Sequence, residues 1–459
     1  MSVFSLSNLK KTWYYLQKNG IRNAVWAVLE RIGQEQEVYT WQEPDEKTLS
    51  FQREHSASLR ISIVVPAYRT KKEHLEAMLN SVSKQSYPHW ELIVADAGGT
   101  AESVQAWAKK NGICLRKAAD ASNLAEWKDQ SIMLCTLSEN KGISANTNAG
   151  IELAAGDAVG LLDHDDLLTA NALWEMADCL EKEKKRGKQK LVLFSDEDKC
   201  DGAASRFYEP NFKPDFDGEL LLTNNYICHF TVIETAFLKE LKLRSGFDGA
   251  QDYDLMLRAY AAGGQFVHVP KVLYHWRCHE ASTASNPQSK RYAYEAGQRA
   301  LEDYCLRKGW KATVSGLKHL GFYREDYEDS VFCQRPEIGI WAKPLPGGRD
   351  VFGIRHPKGF LVSGLYENDG SMRYAGLRKG YSGPMHRAAL QQSAPAADLR
   401  SMEVCSALKE RYAQTIAELK EACQGLPTAA QEKKILQKSM EFCKEATAAG
   451  YGILWDPQA

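Results

Sequence analysis

The chain has 459 residues, 44% hydrophobic and 25% charged, enough for two or three domains that each bury a core. Fifty-eight basic residues against 59 acidic ones leave a formal charge of −1, which gives no support to nucleic-acid binding by bulk charge. Eleven scattered cysteines, odd in number and without a Cys-x-x-Cys pair, suggest reduced thiols; no signal peptide and no bilayer-length apolar run is evident, so the expectation is a cytoplasmic protein.

In chain order, residues 5–32 read as helix, broken at Asn19-Gly20, with aromatics Trp13, Tyr14, Tyr15 and Trp26 and an excess of Lys and Arg. That segment admits two readings: a basic amphipathic surface on an anionic membrane, or a helix packed by its aromatic face on the main body. Residues 43–58 are polar and unpatterned, a linker. Residues 60–68 read as an apolar strand ended by Pro66, and Leu75, Met78, Leu79 and Val82 then recur at helical spacing. Residues 90–96 make a second strand that ends on Asp96, with Gly98-Gly99-Thr100 as its turn and a helix from Val104 to Lys110. The stretch 111–138 carries no clear pattern.

Residues 139–150 open a helix that runs to Ala155, and the buried strand 159–162 stops at Asp163, Asp165 and Asp166. Three carboxylates at a strand end repel one another in a partly desolvated setting, and a hard divalent cation bridging to substrate phosphates would relieve them. The other reading is an acidic turn that caps a helix starting near Thr169. Strand–helix alternation predicts an α/β fold with a doubly wound, mostly parallel sheet, whose ligands bind beyond the carboxyl ends of the strands. Tyr68, Asp96 and residues 163–166 all fall on that rim.

Further on, residues 191–198 read as a strand ending in acids, open to a metal or donor-sugar contact or to a salt-bridged loop. Asp215, Asn225 and His229 lie in a segment of uncertain form that could line an acceptor path, with a structural role preferred for His229. Asp252 and Asp254 open an apolar-periodic helix, where acids also compensate the helix dipole. Residues 267–279 form a strand that carries His275, Trp276 and Arg277, followed by a loop with His279, Ser282 and Thr283. Residues 253–270 align without gaps to 440–457, matching Ala259, Ala261, Ala262, Gly263 and Pro270 to Ala446, Ala448, Ala449, Gly450 and Pro457.

The ordered segments Ile-Val-Val-Pro-Ala-Tyr (63–68), Glu-Leu-Ile-Val-Ala-Asp (91–96), Glu-Asn-Lys-Gly-Ile-Ser (139–144) and Leu-Leu-Asp-His-Asp-Asp (161–166) together resemble a family 2 glycosyltransferase with the GT-A fold. The likeness continues through Phe-Ser-Asp-Glu-Asp-Lys (194–199), Phe-Lys-Pro-Asp (212–215), Gly-Ala-Gln-Asp-Tyr-Asp-Leu (249–255) and Leu-Tyr-His-Trp-Arg (273–277). It covers about residues 60–325 and is most similar to the bacterial branch that builds surface polysaccharide. Two departures are Ala97, where many relatives carry a second acid, and Gln251, where most carry Glu.

The resemblance implies a layout of four parts. Residues 1–58 are a helical N-terminal segment and linker, 59–166 a nucleotide-sugar-binding half, 167–325 an acceptor half, and 326–459 a degenerate GT-A-like half domain. It implies Mg2+ or Mn2+ held by Asp163, Asp165, Asp166 and His275. Pro66, Tyr68, Asp96, Lys141, Asn148 and Asp163 would contact the nucleotide, with Trp276 and Arg277 near the diphosphate. Asp252 would be the base that takes the acceptor proton, while Asp254 anchors its helix. The implied activity is inverting, metal-dependent transfer from a UDP-, dTDP- or GDP-linked sugar to a lipid-linked or polysaccharide acceptor of O-antigen, capsule or rhamnan type, at or near the inner face of the cell membrane. Two alternatives stand beside it: a sugar-nucleotide transferase or hydrolase, and a non-catalytic glycan-binding scaffold that keeps the fold.

Overall fold

A computed structural model describes residues 39–119, 128–278, 291–316, 321–328, 331–335 and 338–342, and shorter pieces of the rest, chiefly 364–366, 372–374, 402–422 and 451–455. The helices expected over residues 5–32, the loop carrying His279, Ser282 and Thr283, and Ser439 lie outside the described residues.

The first strand, β1 (Ile61–Ala67), shows why the chain builds layers. Its Ile61, Ile63, Val65 and Ala67 pack in one apolar cluster while Val64 packs in the other, so successive side chains feed opposite faces of a sheet. Lys72–Ser83 buries Leu75, Met78, Leu79 and Val82, the expected helical stripe, against the first face. Each such Leu or Met withdrawn from water contributes roughly 1.5–3 kcal/mol. β2 (Trp90–Asp96) is buried along its whole length, and the Ala101–Asn111 helix follows. The unpatterned stretch after it holds two short strands, β3 (Cys114–Lys117) and β4 (Ser131–Thr136). The helix Ile143–Leu153 then covers the second face and leads into β5 (Ala158–Leu161).

β6 (Leu167–Leu168) leads to the helix Ala172–Lys185. Then come β7 (Leu191–Cys200), β8 (Phe207–Asn211), β9 (Thr231–Glu234), the helix Gln251–Ala261 and β10 (Gln265–Arg277). The main sheet runs β3-β4-β2-β1-β5-β9-β7-β10-β6, with β8 beside β7. From β3 to β5 every ladder is parallel, as expected. Beyond β5 the sheet is mixed, because β9 enters antiparallel between β5 and β7 and only the β7–β10 ladder is parallel again. The sheet is therefore mixed but mostly parallel, as expected, with its antiparallel ladders confined to the second half. A correction concerns residues 191–198: β7 does not stop at its acids but continues to Cys200, with Asp196, Glu197 and Asp198 paired inside the ladder to Val272, Tyr274 and His275.

The C-terminal alignment has a structural counterpart. Gly264 N–H donates to Ala259 O at 2.8 Å where Gln251–Ala261 ends, and Tyr451 N–H donates to Ala446 O at 3.1 Å. Leu255 and Ala259 are fully buried, and so are Phe442 and Ala446 at the aligned places. β10 then pairs in parallel with β7, and the strand Gly452–Trp455 pairs in parallel with Ile338–Ala342.

Inside β2, Glu91 is 1% exposed and fully engaged. Its Oε1 accepts from Ser62 Oγ at 2.7 Å and Ala155 N–H at 3.0 Å, and its Oε2 accepts from Arg116 at 2.7 Å. Removing one partner of such a buried pair strands the other charge. Arg116→Ala is expected to destabilise the fold by about 3–5 kcal/mol in urea unfolding; a change under about 1 kcal/mol would show that solvent reaches Glu91.

Candidate active site

The carboxyl ends of β1 and β2 are in register, Ala67 opposite Asp96. Tyr68, one residue past β1, is 39% exposed, and a side chain at Gly98 would meet its ring at 3.7 Å. Gly98 and Gly99 adopt φ of +134° and +87°, which is why glycine stands there. Asp96 is 2% exposed and builds this turn: Oδ1 accepts from Gly98 and Thr100 N–H, and Oδ2 from Ala101 N–H at 2.9 Å. Pro66 sits inside β1 opposite Ala95, half-buried.

Two residues expected at the nucleotide are engaged elsewhere. Asn148 exchanges two hydrogen bonds with the backbone of Leu243, at 2.8 and 2.9 Å, fastening its helix to the acceptor half. Lys141 is solvated and pairs with Glu139 at 3.1 Å, the bland outcome for a charged residue before a helix.

The acidic turn follows β5 directly. Asp166 is 1% exposed, and both oxygens are occupied, one by Tyr274 Oη and the other by Arg277 N–H at 2.7 Å. Arg277, expected near a diphosphate, is 2% exposed and spends its guanidinium on the carbonyls of Asp165 and of Gly202, the latter at 2.7 Å. Asp166 and Arg277 thus hold the turn in shape. Asp163 and Asp165 are only half-buried. Burial, then the charges of Asp165 and Asp163, push the Asp166 carboxyl well above its usual range. Asp163 is also raised, by desolvation first and by Asp165 and Asp252, against the pull of His229. Its side chain keeps 45% of its surface accessible, so the effect of burial is weaker there than at Asp166.

β7 and β10 separate two sets of side chains by strand alternation. On the face of the acidic turn, Glu197 Oε2 accepts from His229 N–H at 2.7 Å and faces His229 Nδ1 at 3.2 Å. His229 Nε2 lies 3.9 Å from Asp163 Oδ2, and its ring stacks on Tyr274 with centroids 4.9 Å apart. Trp276 lies beside it, 6.1 Å from the same ring. Lys213, fully buried, stands 4.0 Å from Glu197 and donates to Ile227 O at 2.9 Å. Burial works against charge on His229, yet the Glu197 bond and the charges of Glu197, Asp163 and Asp166 outweigh it and hold the ring up at about 9. Burial likewise opposes charge on Glu197, and Lys213 with His229 brings it down to about 2.

On the opposite face His275 is paired with Asp198, whose other oxygen accepts from Tyr39 Oη at 2.7 Å. Trp41 and Phe207 flank the ring, at 4.9 and 4.2 Å between centroids. The expectation that His275 joins the acids is corrected by this alternation: Tyr274 faces Asp166, so its neighbour faces away. Asp215 is exposed and bonded to His268 at 3.2 Å, while the other ring nitrogen of His268 meets Asp196 at 2.8 Å. His229 and Glu197, assigned no firm role from sequence, are the groups the fold brings to the turn. Only their order along the chain, acids in β7 and a histidine just before β9, hinted at it.

Asp252 opens the helix Gln251–Ala261. Its Oδ2 accepts from Asn225 Nδ2 at 3.0 Å and its Oδ1 from Tyr253 N–H at 2.8 Å. The thiol of Cys228 lies beside it, pushed well up by burial and by the Asp252 charge. Asp254, two residues on, is 1% exposed and salt-bridged to Arg244 and Arg258, a structural anchor. Asp252, by contrast, is half-buried, and its charge acts on Asp163 in the acidic turn.

Among the described residues no three His, Cys, Asp or Glu side chains converge as a metal cage. The donor set nonetheless suits a hard cation of the Mg2+ or Mn2+ kind, which takes one or two protein ligands and leaves its other positions to phosphate oxygens and water. No helix among the described residues is long and apolar enough to cross a membrane.

Residues 62–241 match the family described as Glycosyl transferase family 2. "Uncharacterized protein y4gI" of Sinorhizobium fredii is 36% identical over 255 residues, 55% of this chain and 26% of that protein. "O-antigen biosynthesis protein RfbC" of Myxococcus xanthus is 34% identical over 256 residues, 56% of this chain and 19% of that protein. The chain thus spans about a quarter or less of the length of these relatives. Among solved structures, S. aureus TarS 1–349 in complex with UDP-GlcNAc aligns at a TM-score of 0.40 and 20% identity, over 54% of this chain and 67% of that one.

The buried Lys213–Glu197–His229 chain gives a pH signature. A carboxyl held down to about 2 in the fold stabilises it above the ordinary Glu range and loses that contribution as pH falls from about 4.5 towards 2. Unfolding midpoints measured from pH 6 to pH 2 are expected to fall through this window in the wild type and less steeply in Glu197→Gln. Parallel curves would place the acid sensitivity in other groups.

Proposed function

We propose, from the match of residues 62–241 to glycosyl transferase family 2, that this chain is an inverting glycosyltransferase that adds one sugar from a nucleotide-sugar to a growing cell-surface glycan. The observation that carries the proposal is the family match over residues 62–241; it is supported by Asp252, held by Asn225, whose charge acts on Asp163 of the acidic turn. The resemblance of this chain to a protein named for O-antigen biosynthesis supports the glycan class of the acceptor.

Transfer with inversion needs an acceptor oxygen stripped of its proton as it attacks the sugar carbon from the side opposite the departing diphosphate. Asp252 takes that proton. Its carboxylate accepts from Asn225 Nδ2, from Tyr253 N–H and from the Cys228 thiol, which fixes it and leaves a lone pair for the acceptor hydroxyl. Tyr68, exposed over the Gly98 turn, offers an aromatic face to a nucleotide base, while Asp96 keeps that turn in place. Asp163 and Asp165 would hold Mg2+ or Mn2+, and Asp166, Tyr274 and Arg277 hold the turn that presents them. When bound, the cation offsets charge on the diphosphate as the glycosyl bond breaks.

Residues 326–459 fit a degenerate acceptor half in this proposal. The alignment that superposes Gln251–Ala261 on its C-terminal counterpart puts Ser439 in the place of Asp252 and Lys438 in that of Gln251. Neither can act as a carboxylate base, so the segment is assigned to packing, acceptor docking or partner contact.

Two substitutions test the proposal. Asp252→Asn keeps the shape but not the proton affinity, so turnover is expected to drop about 100- to 10,000-fold while donor binding persists in calorimetry. Near-normal turnover would move the base elsewhere. Asp165→Ala is expected to remove Mn2+-dependent donor binding, and donor affinity indifferent to both EDTA and this change would overturn the metal assignment.

A further inference from the structure

His229 is held at both edges of its ring. Nδ1 faces Glu197 Oε2 at 3.2 Å, the same oxygen accepts the residue's own backbone N–H at 2.7 Å, and Nε2 points to Asp163 Oδ2 at 3.9 Å. Tyr274 stacks on the ring at 4.9 Å and fixes its plane, while the side chain keeps 27% of its surface open. Glu197 is fixed in turn by Asn211 Nδ2 at 3.2 Å and by the fully buried Lys213. A carboxylate on one nitrogen, a second nitrogen aimed at an acid on an open rim, and a ring locked by stacking is the arrangement by which proteins orient a ligating histidine.

We propose that His229 Nε2 joins Asp163 as a protein ligand of the divalent cation, and that Glu197 is the positioning residue that aims it. The distances allow it: cis ligands of an octahedral cation at about 2.1 Å lie roughly 3 Å apart, so the pair has to close by about 1 Å. Ligation through Nε2 needs the tautomer with its proton on Nδ1, the edge that faces Glu197 Oε2. An imidazole ligand shifts preference from Mg2+ towards Mn2+, because nitrogen donors suit transition metals better. The role expected of His275 is thereby filled from the other face of β10.

This inference rests on the acidic turn being the metal site, and the experiment separates the two. Mn2+ is added to the full chain, alone and with inorganic pyrophosphate, and followed by calorimetry and by electron spin-echo modulation from a coupled 14N nucleus. The wild type is expected to show the nitrogen coupling. His229→Gln and His229→Ala are expected to lose it and to bind Mn2+ at least 10-fold more weakly, with the Mn2+ over Mg2+ preference reduced. Glu197→Gln is expected to weaken Mn2+ by about 10- to 100-fold. His275→Ala is expected to keep both coupling and affinity. Mn2+ binding that is strong in the wild type but carries no nitrogen coupling, or coupling that survives in both His229 variants, overturns the inference and leaves the acidic turn standing. No Mn2+ binding to the wild type overturns both.

Discussion

Like-charge repulsion at the end of β5 is the constraint on which the rest of the site depends. Two unit charges about 4 Å apart repel by roughly 4 kcal/mol at an effective dielectric near 20, and Asp163, Asp165 and Asp166 crowd one short turn. The fold offsets part of this through Arg277 N–H and Tyr274 Oη on Asp166, and through His229 beside Asp163. Part of the cationic compensation is committed already, since Lys213 serves Glu197 and Arg277 gives Nε and Nη1 to backbone carbonyls, leaving its buried Nη2 without a hydrogen-bond partner among the described residues. A rim of this kind is unfinished electrostatically, and in the proposed function a divalent cation with the donor's diphosphate would complete it.

Strand alternation decides which side chains take part. β7 and β10 are parallel neighbours, and one residue of register separates Glu197 and Tyr274, on the face of the acidic turn, from Asp198 and His275, on the other. That second face is covered by the chain leading into the domain, through Tyr39 on Asp198 and Trp41 on His275. The same ladder therefore ties residues 39–41 to the strand that carries Trp276 and Arg277.

Much of this was legible in the sequence because apolar periodicity is local. Leu75, Met78, Leu79 and Val82, and the run before Asp163, announce their elements without help from distant residues. Asp252 and Asp254 were told apart in the sequence only by the resemblance; the fold pairs the second with Arg258 one helical turn on and with Arg244 from outside the helix. What stayed hidden depends on long-range pairing. Nothing near residue 231 says that β9 runs antiparallel between β5 and β7. Nothing near residue 275 says which face of β10 its ring takes. Asp96 and Asn148 were placed by motif at the nucleotide, whereas the fold uses the first to build a turn and the second to grip Leu243.

The most direct test is a screen of UDP-, dTDP- and GDP-linked sugars with Mn2+, with and without lipid-linked glycan acceptors, reading nucleotide release and product together. The expected result is metal-dependent release of nucleoside diphosphate that requires an acceptor and yields a glycosidic bond of inverted anomeric configuration. Release of nucleotide or pyrophosphate without any glycosidic product would contradict the assignment, as would no turnover and no donor binding across the panel.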